Sequence, residues 1–359
     1  MNKGICLVTG GAGFIGGHIT SMLEKEFEKV IIVDNMHEQI HKSKERPSNL
    51  LSTTEFIIGD ICNQDMWDQL LLNHKPSVII HLAAETGTGQ SLTESTRHGQ
   101  VNVVGTTQML DALIRNDAIP AKILLTSSRA VYGEGKWLHE NGSEFYPGQR
   151  TREQLENAEW DFTKSTYLPL SNSRNFPMPS SIYGATKLTQ EYLISSWCKS
   201  YGVDQTILRL QNVYGPGQSL INSYTGIVSL FIRIAKEKKS IPLYEDGKML
   251  RDFVYIGDVA NAIYAVLVAE HANGKVFDIG SGYGTTIKEV AEIIASRYGA
   301  PIPTVCGMYR NGDVRHASCD ITDSIEYLDW APQVTLQKGL NLLCNWIDKE
   351  LDKPSLSTV

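Results

Sequence analysis

The sequence predicts an α/β protein: a Rossmann-type doubly wound parallel sheet with a smaller, mostly C-terminal α/β substrate domain. Three observations carry this expectation. Short apolar runs recur along the chain, and they are continuous rather than alternating, as in strands buried on both faces. Segments suited to helices separate them. The first run leads directly into glycines at 10, 13 and 16, a spacing that suits a tight strand-to-helix turn at an anion site.

Gly4–Val8 reads as the first strand. Gly10 permits the turn, Gly13 lets a pyrophosphate approach the backbone, and Gly16 lets the helix lie close to the strand. Phe14 and Ile15 open that helix, whose free N–H groups face the anion. Val30–Val33 is a second strand and ends in Asp34, eighteen residues beyond Gly16. A dinucleotide fold places there the carboxylate that binds the adenosine ribose, with Asn35 beside it. An acid at this point repels a 2′-phosphate, so NAD is favoured over NADP; the plain alternative is a strand cap. The polar stretch 35–54 reads as helix plus loop. Phe56–Ile58 is a third strand closing at Gly59-Asp60-Ile61, where Asp60 either meets an adenine amino group or simply forms a turn. A helix suits 63–73, and Val78–Ile80 is a fourth strand. Its end, Leu82-Ala83-Ala84, is small enough for a flat cofactor to lie against it. The loop carrying Thr86, Gln90 and Ser91 follows, then a helix reaching Arg115. Ile123–Leu125 is a fifth strand that runs into Ser127 and Ser128.

The pattern dissolves over 134–179, which holds Trp137, Trp160 and a series of prolines. That length suits a lid or an added subdomain, or a tolerated surface insertion. A helix starting near Ser180 then brings Tyr183 and Lys187 to one face. Residues 203–211 form another strand, and a turn at Asn212–Gly217 follows. Helices are expected at about 225–238, 257–270, 286–298 and 335–349. Arg251, Arg310 and Arg315 stand near short strands and loops. The expected division is an NAD-binding domain over 1–212, with 134–179 inserted and 251–281 returning to it, and a second domain over 213–359.

With 359 residues, 42% of them hydrophobic, the chain can bury a large core, and its net charge of −7 argues against sequence-independent nucleic-acid binding. No apolar run approaches the length of a membrane helix, so no membrane association is expected. Six scattered cysteines form no C-x-x-C pair. The start of the chain shows no signal-peptide pattern, and together these point to a cytoplasmic protein with reduced thiols and no metal site.

Taken together, Thr9–Gly16, Asp34, Ser127-Ser128 before Val131-Tyr132-Gly133, Tyr183–Lys187 and Arg251-Asp252-Phe253 resemble the extended short-chain dehydrogenase/reductases. More narrowly, they resemble the NAD-dependent nucleotide-sugar epimerases and dehydratases. Glu85–Ser91 and Leu208–Gln218 with Tyr224-Thr225-Gly226 are similar to the loops that contact the sugar nucleotide in the dTDP-L-rhamnose 4-epimerase group, which makes dTDP-6-deoxy-L-talose; the resemblance implies that Thr86, Gln90, Ser91 and Asn212 meet the substrate and that 213–359 is a nucleotide-sugar-binding domain. The alternatives are a UDP-hexose 4-epimerase, a nucleotide-sugar reductase or dehydrogenase, and a non-catalytic cofactor-sensing protein. Dehydratases of the family carry Asp-Glu where this chain has Arg129-Ala130, and neither residue can perform that proton chemistry at neutral pH.

The resemblance implies a retained NAD and a nucleotide-sugar substrate. Tyr183 is the implied base. An ordinary Tyr titrates near 10, and Lys187 with the nicotinamide charge favours its anion. Lowering it by roughly three pH units corresponds to about 4 kcal/mol. Ser128 would hydrogen-bond the reacting oxygen. Asn102 matches a position near the active site, as an orienting group, or else is an amide satisfied within the core. Arg251, Arg310 and Arg315 would meet the diphosphate, for which a planar guanidinium is suited; otherwise they pair with acids such as Asp252 and Asp313. Relatives form homodimers through the helices at 95–115 and 180–201, which places Met109, Leu113, Leu193 and Trp197 at or beneath the seam.

Overall fold

The structure, a computed structural model, describes residues 3–220 and 226–351. Seven parallel strands form the central sheet: β1 (Ile5–Thr9), β2 (Lys29–Asp34), β3 (Glu55–Ile58), β4 (Val78–His81), β5 (Lys122–Ser128), β6 (Asp204–Leu210) and β7 (Lys275–Ile279). Their spatial order is β7-β6-β5-β4-β1-β2-β3. The order reverses between β1 and β4, the point at which such sheets open a crevice at their carboxyl ends. Register aligns those ends: Thr9 lies beside Val33 and His81, and Ser128 beside Leu210.

Helices α1 (Gly16–Glu26), α2 (Gln64–Asn73), α3 (Thr106–Arg115) and α4 (Ile182–Tyr201) wind around the sheet. Two local signals set their starts. Asn63 accepts the Met66 N–H at 3.1 Å to cap α2, and Ser181 accepts the Gly184 N–H at 3.0 Å to cap α4. A π-helical turn, Gly99–Gly105, leads into α3. Trp67, Leu71, Met109, Leu113 and Ile194 fill one face of the sheet. On the other face Ile19 and Leu23 meet Val259, Ile263 and Val266, so the chain returns here late in its course.

Beyond β6, α5 (Ile227–Lys236), α7 (Ile287–Tyr298) and α8 (Leu336–Leu351) share a separate core around Ile232, Ile294 and Leu343, while α6 (Ile256–Val268) is the returning helix. The stretch 134–179 forms a small antiparallel sheet of Trp137–His139, Glu144–Phe145 and Ser165–Tyr167. It is fixed to the C-terminal segment by a buried ion-pair cluster: Arg150 meets Glu245 at 2.8 Å, and Arg315 meets Glu245 at 3.0 Å and Asp161 at 2.7 Å.

One expected element is absent. Residues 35–54 contain no helix. Met36 sits at φ +52°, and side chains take the backbone's hydrogen bonds: Asn35 accepts from His37 N–H and His37 from Gln39 N–H, both at 3.2 Å. Such local bonding competes with helix formation. Tyr224 and Thr225 lie outside the described residues.

Candidate active site

A cleft of about 890 Å³ runs along the carboxyl ends of the strands. At one end the glycine loop forms its wall. Gly10 has φ +66°, and a Cβ there would lie 2.7 Å from the Ala83 backbone, so only glycine fits. A Cβ on Gly16 would lie 2.2 Å from the Gly11 carbonyl, which explains the close start of α1. Gly13 meets only the Gly10 carbonyl, at 3.2 Å, and faces the cleft with Phe14 and Ile15.

Asp34 is placed for both roles considered for it. Its carboxylate accepts the Ala12 N–H at 3.1 Å and the Met36 N–H at 2.9 Å, strapping the glycine loop to the end of β2. It also lines the cleft, with Asn35, Asp60 and Ile61 beside it. Asn35 donates to Asp60 at 3.4 Å, and Asp60 accepts the Cys62 N–H at 2.8 Å. Leu82, Ala83 and Ala84 continue the wall. This donor set fits NAD: open backbone at a helix N-terminus for the pyrophosphate, and a buried carboxylate for the ribose hydroxyls.

At the middle of the cleft stand Ser128, Tyr183 and Lys187. Burial pushes the Tyr183 phenol up, while a hydrogen bond with Ser128 and the Arg129 charge act in the opposite direction. Lys187 donates to Gln190 Oε1 at 2.5 Å. Burial holds its ammonium down to about 7, opposed by Glu191. Gln190 donates in turn to Thr106 at 2.8 Å, and His81 bridges Thr106 and Thr9 at 3.1 and 2.7 Å. His81 is kept neutral, near 3, by burial and then by Lys187. A buried polar chain therefore links the Tyr–Lys helix to the start of the glycine loop.

At the far end Asn212, Arg251 and Arg310 line the cleft with Thr86. Arg310 is exposed, its guanidinium over the Tyr244 ring at 5.1 Å. Arg251 is buried and already bonded to the Leu250 and Val314 carbonyls, at 2.7 and 2.8 Å, and to Asp313 at 3.1 Å.

Several expected contacts lie elsewhere. Arg315 does not reach the cleft, because its guanidinium is wholly engaged with Asp161, Glu245 and Asp246. Gln90 bonds Gln39 and Glu94, at 3.0 and 2.9 Å, and Ser91 donates to the Thr88 carbonyl, so both support the loop from behind. Asn102, inside the π-helical turn, accepts the Glu85 N–H at 2.8 Å and donates to Thr186 at 3.0 Å. It positions the Glu85–Thr86 segment from within the core. Ser127 lines the cleft but its hydroxyl donates to Glu191 at 2.5 Å. Sequence reasoning missed Arg129 as a site residue. It lines the cleft between Ser128 and Ala130 and donates through Nε to Asn212 at 2.9 Å.

The chain belongs to the NAD-dependent epimerase/dehydratase family. The model of that family matches residues 162–280, and a GDP-mannose 4,6-dehydratase model matches residues 7–148. The chain is 54% identical to dTDP-L-rhamnose 4-epimerase of Burkholderia thailandensis, over 97% of this chain and 96% of the relative. Among solved structures it is similar to the UDP-glucose 4-epimerase of Thermotoga maritima with UDP-glucose, with TM-score 0.79, 28% identity, and 97% and 100% of the two chains covered. The UDP-glucose 4-epimerase of Thermus thermophilus in complex with NAD gives TM-score 0.77 at 26% identity, covering 96% and 99%. Among the described residues no helix is long and apolar enough to cross a membrane.

Proposed function

We propose that this protein is an NAD-dependent nucleotide-sugar 4-epimerase that interconverts dTDP-L-rhamnose and dTDP-6-deoxy-L-talose through a 4-keto intermediate. The observation that carries the reading is the one cleft in which the glycine loop, Asp34, Ser128 and Tyr183 meet. The 54% identity to a dTDP-L-rhamnose 4-epimerase supports the choice of sugar.

Bound NAD supplies a reversible hydride acceptor, so the reaction has no net redox change. Gly10, Gly13, Phe14, Ile15, Asp34, Asn35, Asp60 and Ile61 would hold it with Leu82, Ala83 and Ala84. Tyr183 takes the proton of the 4-hydroxyl and gives it back after the sugar has presented its other face. Ser128, hydrogen-bonded to Tyr183, holds the reacting oxygen. Lys187, fixed by Gln190, lines the cleft with Tyr183. Arg310 holds the diphosphate, with the charge of Arg251 behind it, and Asn212 and Thr86 complete that end. Arg129 and Ala130 follow Ser128, and neither supplies an acid–base pair for removing water.

We also propose a homodimer formed through α3 and α4. Met109 and Leu113 are fully buried in the protomer's own core, and Leu193 and Trp197 pack against it. The outward positions are instead Val104, just before α3, Ile114 and Tyr192, all exposed.

The test is direct. Purified protein is incubated with a panel of nucleotide sugars without added cofactor, and sugar stereochemistry is followed by NMR. Conversion of dTDP-L-rhamnose is the expected result. Rapid conversion of UDP-galactose with no action on dTDP-L-rhamnose would keep the mechanism and reject the substrate.

A further inference from the structure

Strand β5 ends in a single 3-10 turn, Arg129–Tyr132, capped by Ser128, whose hydroxyl accepts the Ala130 N–H at 3.2 Å. The turn carries Arg129 into the wall of the cleft directly after Ser128. The buried arginines of this protein meet carboxylates: Arg150 with Glu245 and Arg209 with Glu191, at 2.8 and 2.7 Å, and Arg315 with Asp161 at 2.7 Å. Arg129 is different. Among the described residues it has no ion-pair partner, and its one hydrogen bond runs from Nε to the Asn212 side-chain oxygen. The nearest acid acting on it, Asp313, is already paired with Arg251. Burial, and then the like charge of Arg251, hold the Arg129 guanidinium down to about 10, so it remains a cation at neutral pH. Its terminal nitrogens have no partner among the described residues, and a guanidinium in the cleft wall can donate through them to oxygens of a ligand.

We propose that Arg129 is a substrate-contacting residue: its terminal nitrogens donate to oxygens of the hexose beside the reacting carbon. The proposal rests on the epimerase reading. Two observations favour the sugar over the diphosphate as its partner. Arg129 adjoins Ser128 and acts on Tyr183 while its Nε reaches Asn212, which places it between the reacting pair and the Asn212–Arg251 end of the cleft. Moreover, Lys187 is directed onto Gln190, and of the charged groups near Tyr183 the one favouring its anion is Arg129. His98, whose ring meets Tyr183 edge-on at 6.4 Å, and Lys187 are the other titratable groups facing it.

The experiment uses the full chain with its retained cofactor and the variants Arg129→Met and Arg129→Lys. Dissociation constants are measured for dTDP and dTDP-L-rhamnose, and kcat/KM is followed against pH. For Arg129→Met the expected result is unchanged bound NAD and dTDP affinity. Affinity for dTDP-L-rhamnose should fall at least about tenfold, the scale for losing hydrogen bonds to a charged group. The acidic limb of kcat/KM should move to higher pH, and Arg129→Lys should move it back by restoring the charge. Equal losses for dTDP and dTDP-L-rhamnose would place Arg129 on the diphosphate and overturn the proposal. So would wild-type affinity and an unmoved limb in Arg129→Met. If Arg129→Met does not fold, the Lys variant decides alone: unchanged dTDP-L-rhamnose affinity with a lowered dTDP affinity overturns the proposal, and the reverse supports it. Failure of the epimerase reading is distinct, since it shows as a wild-type protein that converts no nucleotide sugar. The affinity comparison, which needs no turnover, still decides Arg129.

Discussion

In the proposed reaction Tyr183 is the base. Burial raises its phenol, and Ser128 and Arg129 oppose that rise. A base works only when deprotonated, so kcat/KM should climb with pH along its acidic limb. Tyr183→Phe should keep the fold and its NAD but lose at least about a hundredfold in rate, the scale of a general acid–base group; near-normal turnover would remove Tyr183 from its role. Asp34 makes a second expectation at this scale. Protein denatured after purification should release NAD or NADH, and a mainly NADP extract would contradict the role given to that carboxylate. The places of Tyr183, Lys187 and Asp34 on the cleft wall were legible in the sequence because short-range spacing defines them: four residues along one helix, or the end of one strand. Arg315 was misread and Arg129 passed over for the opposite reason. The partners of Arg315 lie 154 and 69 residues away in the chain, and the partner of Arg129 lies 83 residues away. No local pattern encodes such pairings.

Among the elements, the sheet strands and the four later helices were readable because apolar runs and helical periodicity are local and strong. The helix expected within 35–54 was not formed, since side chains there satisfy the backbone in turns. The 134–179 insertion was legible only as a break in pattern. Its structure depends on ion pairs that close onto the C-terminal segment through Arg150, Glu245 and Arg315. Arg310 lines the cleft and Arg315 pairs with acids away from it, so substitutions at the two should differ. Arg315→Met should lower stability by about 3–5 kcal/mol, the range for breaking a buried ion pair. Arg310→Ala, at an exposed position, should leave the melting temperature in place and raise KM for the nucleotide sugar at least about tenfold. The opposite pattern would return Arg315 to the substrate.

At the scale of the whole molecule, strand order and register bring residues as distant as Gly13, Asp34, Ser128, Tyr183 and Arg310 onto one cleft. The α3–α4 face should pair two copies, with Ile114 and Tyr192 outward. Light scattering at micromolar concentration should give the mass of a dimer, and Tyr192→Glu should reduce it to a monomer; a monomeric wild-type protein would end that proposal. The central claim, an epimerase that returns its own hydride at C4, is tested most directly in D2O without added cofactor. Product dTDP-6-deoxy-L-talose formed from dTDP-L-rhamnose should carry no carbon-bound deuterium by NMR. Deuterium at C3 or C5, which signals enolisation next to the ketone, would contradict it.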